Sequence, residues 1–92
     1  MQQEVAETVA LEALGWLAGH DELRGVFMGA TGSSGADMAL RVRDPDYLAS
    51  VLDFLTMDDA WVVEFCDAHN HDYRIPLTAK QVLAGAADTH WT

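Results

Sequence analysis

The sequence predicts an all-α fold, a compact bundle of five to six short helices. Three observations carry this. Apolar residues recur at the helical period of about 100° per residue along most of the chain. Helix punctuation separates these runs: glycine or asparagine at the ends, Asp-Pro or Ser/Thr-x-x-Asp/Gln at the starts. No stretch of useful length alternates with period two, so no sheet is expected.

The first helix covers residues 4–19. Val5, Ala6, Val9, Ala10, Ala13, Leu14, Trp16 and Leu17 fall on one half of the wheel, Leu11 is the one large apolar residue on the polar half, and Gly19 is a natural stop. A second helix runs from Asp21 to Ala30 with Leu23, Val26, Phe27 and Ala30 on one face and Met28 turned away. GATGSSG is a loop by composition. Ser34-x-x-Asp37 resembles a capping box and opens a third helix to Val42.

Asp44-Pro45 places an N-cap before a proline at the first helical position. The helix it opens gathers Tyr47, Leu48, Val51, Leu52, Phe54 and Leu55 on one face, opposite Asp46, Ser50 and Asp53. A fifth helix ends near His69, with Trp61, Val62, Phe65 and Ala68 as its stripe and Asn70 where a left-handed residue is wanted. After a connector holding Pro76, Thr78-x-x-Gln81 reads as a second capping box opening a sixth helix to Ala87. The expected core is Val9, Leu14, Leu17, Phe27, Val51, Leu52, Leu55, Trp61 and Phe65.

Residues 14–32 also match the stretch 38 positions later: Leu14, Trp16, Asp21, Phe27 and Gly32 fall on Leu52, Phe54, Asp59, Phe65 and Asn70. One reading is two pseudo-symmetric three-helix halves with a groove between them. The plainer reading is that any two amphipathic helix pairs match this well.

Composition bounds the function. Ninety-two residues are one domain's worth, so residues 1–92 are read as a single helical domain with a tail, 88–92, that Trp91 docks. Fifteen acidic against five basic side chains leave a formal charge of −10, and Arg24, Arg41, Arg43, Arg74 and Lys80 form no run. Such a field repels phosphate backbones and anionic headgroups, so neither nucleic acid nor membrane is an expected partner. Cys66 stands alone, which rules out an intramolecular disulfide. The start MQQEVAET lacks a basic n-region and no apolar run approaches a membrane span, which points to a soluble cytoplasmic protein.

The stretch TVALEALGWLAG, followed by DPDYLASVLDFLTMDD and a helix carrying Phe65, resembles the bacterial domain-of-unknown-function family numbered 3572. The likeness lies in the Leu/Ala-rich first helix with Trp16, in Thr31-Gly32, and in the Leu-x-x-Val-Leu-Asp-Phe-Leu core, over roughly residues 8–70. It implies a small all-α protein of alphaproteobacterial type with no assigned activity. It carries over no catalytic residues and lends no support to any ligand set in the C-terminal third.

One stretch invites chemistry: CDAHNHD at 66–72. Cys66, His69, His71 and Asp72 are donors that suit zinc. Structural zinc sites, however, draw ligand pairs from two elements, and no second pair is visible; His20 and His90 are distant. The plainer reading is a polar helix end, with His69 in the last turn favouring the negative end of the helix dipole. A thiol late in a helix is a poor nucleophile, because that dipole raises its pKa. HNH here lacks the hairpin and field of the nuclease motif. GATGSSG lacks the lysine of a phosphate loop. Asp44, Asp46, Asp58 and Asp59 sit at helix starts and read as caps rather than a catalytic pair.

What remains is surface. Leu11, Met28 and Trp91 are candidate contact residues. The leading expectation is a small acidic, non-catalytic interaction or adaptor module without a cofactor, with a protein partner or a second copy of itself. The alternative is a small metal-binding protein or metal-dependent enzyme using the Cys66/His69/His71/Asp72 cluster.

Overall fold

Side-chain caps start four of the six helices. The computed structural model describes residues 1–88 of the chain, with side chains through Gly85. In order these form α1 (Gln3–Ala18), α2 (Asp21–Thr31), α3 (Gly35–Leu40), α4 (Pro45–Leu55), α5 (Asp59–His69) and α6 (Ile75–Asp88), with no strand among the described residues. His20, Ser34, Asp44 and Asp58 each accept a backbone N–H of the helix they precede, which satisfies donors the helix cannot. Ser34 and Asp37 form the reciprocal capping box, and Pro45 occupies the first turn of α4. Gly32 (φ 68°) and Asn70 (φ 57°) close α2 and α5 in the left-handed region.

The core is a three-helix group. α6 lies along both α1 and α4, which also meet one another, while α2 packs on α1 and touches α4 and α5 leans on α1. α1 buries Ala6, Val9, Ala10, Ala13, Leu14 and Leu17; α4 buries Tyr47, Leu48, Val51, Leu52, Phe54 and Leu55; α6 buries Pro76, Ala79 and Leu83. Aromatic side chains join the outer helices to this group. Phe54 meets Phe27 of α2 edge-on at 5.3 Å and stacks on Trp61 of α5 at 4.9 Å between ring centres. Phe65 of α5 meets Trp16 of α1 at 5.9 Å. The molecule measures 40 × 30 × 18 Å, so it is less than two helix diameters thick and helices keep a solvent face. No described helix is long and apolar enough to cross a membrane.

Four details differ from the sequence reading. α6 begins at Ile75, not Thr78: the Thr78 N–H already bonds the Arg74 carbonyl at 3.1 Å, and its hydroxyl donates to that same oxygen. Pro76 therefore sits in the first turn, where a missing N–H costs nothing. α3 stops at Leu40, two residues short of Val42. Val5, Val26 and Ala30 face solvent, because α2 buries only the line of Leu23 and Phe27 and the α1 stripe begins at Ala6. Trp61 is half-buried, holding Phe54 from outside instead of lying in the core.

The 38-residue register survives locally and fails globally. His20, Asp21–Thr31 and Gly32 recur as Asp58, Asp59–His69 and Asn70, cap for cap and helix for helix. Yet α6 packs intimately on α4, whereas the six-residue α3 has no such contact with α1. The two halves are not equivalent in packing.

The α4 cap gives a pH-dependent prediction. A hydrogen bond from the Arg41 guanidinium, with the N–H of Asp46, holds the Asp44 carboxyl below the usual carboxylate range. A carboxyl made more acidic by folding adds stability that is fully present above the unfolded value of about 3.9 and is lost as pH falls through the folded value. Asp44→Ala is expected to cost about 1 kcal/mol in urea unfolding at neutral pH. The gap to wild type should close as the titrations move into acid; a gap that persists there would mean the carboxylate is not what caps α4.

Candidate functional site

The four donors of CDAHNHD do not converge. Cys66 faces inward and is buried, and its thiol donates a long hydrogen bond to the Asp72 carbonyl, 3.6 Å away. Burial pushes the Cys66 thiol up in pKa, and the nearby Asp67 and Asp72 carboxylates push it further. Asp72 faces outward: its carboxylate accepts the Arg74 N–H and guanidinium at 2.9–3.3 Å, which holds it below its ordinary value. His69 and His71 turn the other way, towards α1. The left-handed Asn70 turns the chain between them, with the His71 N–H returning to the Cys66 carbonyl at 3.0 Å, and both rings reach the same Glu12. No group of three His, Cys, Asp or Glu side chains among the described residues is placed to hold a metal ion. The metal alternative is therefore corrected: adjacency along the chain does not become a shared centre in space.

The imidazoles have partners that the sequence did not suggest. The Glu12 carboxylate of α1 forks between two of them, with Oε1 2.9 Å from His71 Nε2 and Oε2 3.5 Å from His69 Nδ1. The two rings stack at 6.3 Å and both lie against Phe65. Past the end of α1, the α2 cap His20 accepts the Leu23 N–H through Nδ1 at 3.2 Å and reaches Glu64 of α5 through Nε2 at 3.3 Å. Trp16 meets His20 edge-on at 5.2 Å. Three imidazoles and two carboxylates thus line the seam between α1 and α5. Carboxylate-oriented imidazoles are half of a nucleophilic site. The other half is missing among the described residues: the only thiol is turned to a carbonyl, and no hydroxyl bonds these rings. The seam joins α1 to α5 through partly exposed pairs worth at most about 1 kcal/mol each.

A second feature is lined by other residues altogether. A cleft of about 370 Å³ opens between the end of α2 and α4, lined by Ala30, Thr31, Arg41, Asp46, Tyr47, Ser50, Asp53, Phe54 and Met57. Tyr47 is 3% exposed, and its hydroxyl is buried with no hydrogen-bond partner among the described residues. The Arg41 guanidinium covers the Tyr47 ring at 4.9 Å while bonding Asp44 at 3.0 Å. Asp53 pairs with Lys80 at 2.9 Å; Asp46 has no ion-pair partner among the described residues. Of the candidate contact residues, Leu11 is 42% exposed, and Met28 is half-buried against the core. Trp91 lies outside the described residues.

Cys66 should behave as an inert thiol. In the folded protein it is expected to react with a thiol reagent far more slowly than in denaturant, and a cobalt titration should give no thiolate-to-metal charge-transfer band. Prompt labelling under native conditions, or a band lost in Cys66→Ser, would contradict this geometry.

Comparison with known proteins gives one match. The model of the family described as "Protein of unknown function (DUF3572)" matches residues 3–86. No curated protein and no solved structure matches the chain. Since the match spans all but the ends of the chain, from the start of α1 into the last turns of α6, this chain belongs to the DUF3572 family.

Proposed function

We propose that the protein is a small acidic adaptor, a non-catalytic module that works in the cytoplasm through contacts with another protein and needs no cofactor. One observation carries the reading: the chemistry-bearing side chains are spent on internal pairs, while large apolar side chains stand in solvent on a chain of charge −10. Glu12, Glu64 and Asp72 are committed to neighbours, and Cys66 is buried. By contrast Leu11, Val26, Leu40, Met57 and Leu77 are exposed, Leu40 by 81%. Large apolar groups in a strongly charged field suit an interface whose partner is steered by charge and held by burial. Leu11 remains a contact candidate in this reading, as do Met28 and Trp91. The same charge favours a partner protein over nucleic acid.

Purification of the tagged protein from its native cells, followed by mass spectrometry, tests the reading. A stoichiometric partner protein is expected, retained at about 0.1 M salt and released as the ionic strength rises and the Debye length shrinks. Leu11→Asp should keep the wild-type melting temperature, since the side chain is exposed. A protein that emerges alone at low salt, as a monomer by native mass spectrometry, would overturn the adaptor reading.

A further inference from the structure

We propose that the cleft between α2 and α4 is the docking site, and that its occupant is an apolar segment of a partner protein bearing lysine or arginine. The inference rests on the adaptor reading and specifies its surface and partner chemistry. The cleft, at about 370 Å³, falls within the size range of pockets that hold a few inserted groups. Its accessible apolar surface comes from Ala30 and from Met57, which is 69% exposed and forms a flexible thioether wall, while Tyr47 and Phe54, each 3% exposed, close it from beneath. Val26, one helical turn before Ala30 on α2 and 51% exposed, extends this apolar surface beyond the mouth.

The charges set the occupant. Arg41, the one cation among the described residues that line the cleft, is drawn onto Tyr47 and Asp44. Asp46 and Asp53 are exposed lining residues; Asp53 is paired with Lys80, and Asp46 has no ion-pair partner among the described residues. A long basic side chain satisfies both features together, laying its methylenes along Ala30 and Met57 and its charged head against Asp46. The partner must also bring apolar residues, because Ala30, Met57 and the neighbouring Val26 offer exposed apolar surface. A second copy of this chain is the wrong occupant, since it carries the same charge of −10. The Tyr47 hydroxyl is a buried polar group at this cleft with no hydrogen-bond partner among the described residues.

The test uses the full chain and a synthetic amphipathic peptide of lysine and leucine at helical spacing, with a glutamate–leucine peptide of the same pattern as control. Binding is read by fluorescence anisotropy, and its location by amide shifts in the labelled protein. The expected result is binding of the lysine peptide alone, with shifts centred on Ala30, Ser50 and Met57. Met57→Glu decides between the cleft and general charge attraction. It adds a negative charge, so simple attraction predicts tighter binding, whereas loss of the apolar wall predicts weakening by about tenfold or more. Unchanged or tighter binding to Met57→Glu, shifts centred elsewhere, or equal binding of the glutamate peptide would each overturn the cleft. Because Met57 is exposed, the variant should keep its melting temperature, and a Met57→Lys variant should also weaken binding. Failure of the cleft is separable from failure of the adaptor reading: a native partner kept by Met57→Glu sinks the cleft alone, and a wild-type protein without any partner sinks the adaptor.

Discussion

Everything in this fold hangs on the seam where α6 lies against both α1 and α4. Helix axes sit 8–10 Å apart according to the side chains between them. Here the buried residues include Ala6, Ala10 and Ala13 on α1 and Ala79 on α6, which permit a close approach. The bulk that fills the remaining space comes from Leu17, Leu48, Leu52, Leu55 and Leu83, all fully buried. In a molecule only 18 Å across its shortest direction, there is no second layer to absorb a misfit. The outer helices are then placed by aromatic side chains, Phe27 for α2 and Phe65 with Trp61 for α5.

Charge is distributed by the same economy. Carboxylates occupy helix starts at Asp44 and Asp58, where they meet free N–H groups, and the seam between α1 and α5, where they meet imidazoles. The acidic excess is left on the surface. It is unbalanced by any basic cluster, so the long-range field of the molecule is of one sign even though Glu12, Asp44, Asp53, Glu64 and Asp72 are paired at short range. That division separates what holds the protein together from what an approaching molecule meets.

Local signals were legible in the sequence. Asp44-Pro45, Ser34-x-x-Asp37 and Asn70 mark helix ends because a cap is decided within three or four residues, and those ends are where the chain places them. Thr78-x-x-Gln81 misled because the same side-chain pattern can sit inside a helix whose N–H groups are already taken. The buried face of α2 was legible in Leu23 and Phe27 but its breadth was not, since Val26 is as apolar as Phe27 and only the neighbouring helices decide that Phe27 is covered and Val26 is not. The site fared similarly. Proximity along the chain grouped Cys66, His69, His71 and Asp72, but Cys66 faces inward, Asp72 faces outward and the two imidazoles turn towards α1. The true partner of His71 is Glu12, 59 residues away, and no local pattern encodes that pairing. The cleft is likewise a product of tertiary contact between α2 and α4 and leaves no motif.

The ring of His20 holds two elements at once: its Nδ1 lone pair terminates α2, and its Nε2 faces Glu64 on α5. With Nδ1 accepting the Leu23 N–H, the nitrogen left for α5 is Nε2, and it is the one that faces Glu64. One side chain therefore fixes the start of α2 and its approach to α5 together. Removing that ring releases both contacts at once, so the corner between α1 and α2 and its neighbour on α5 open as one local unit.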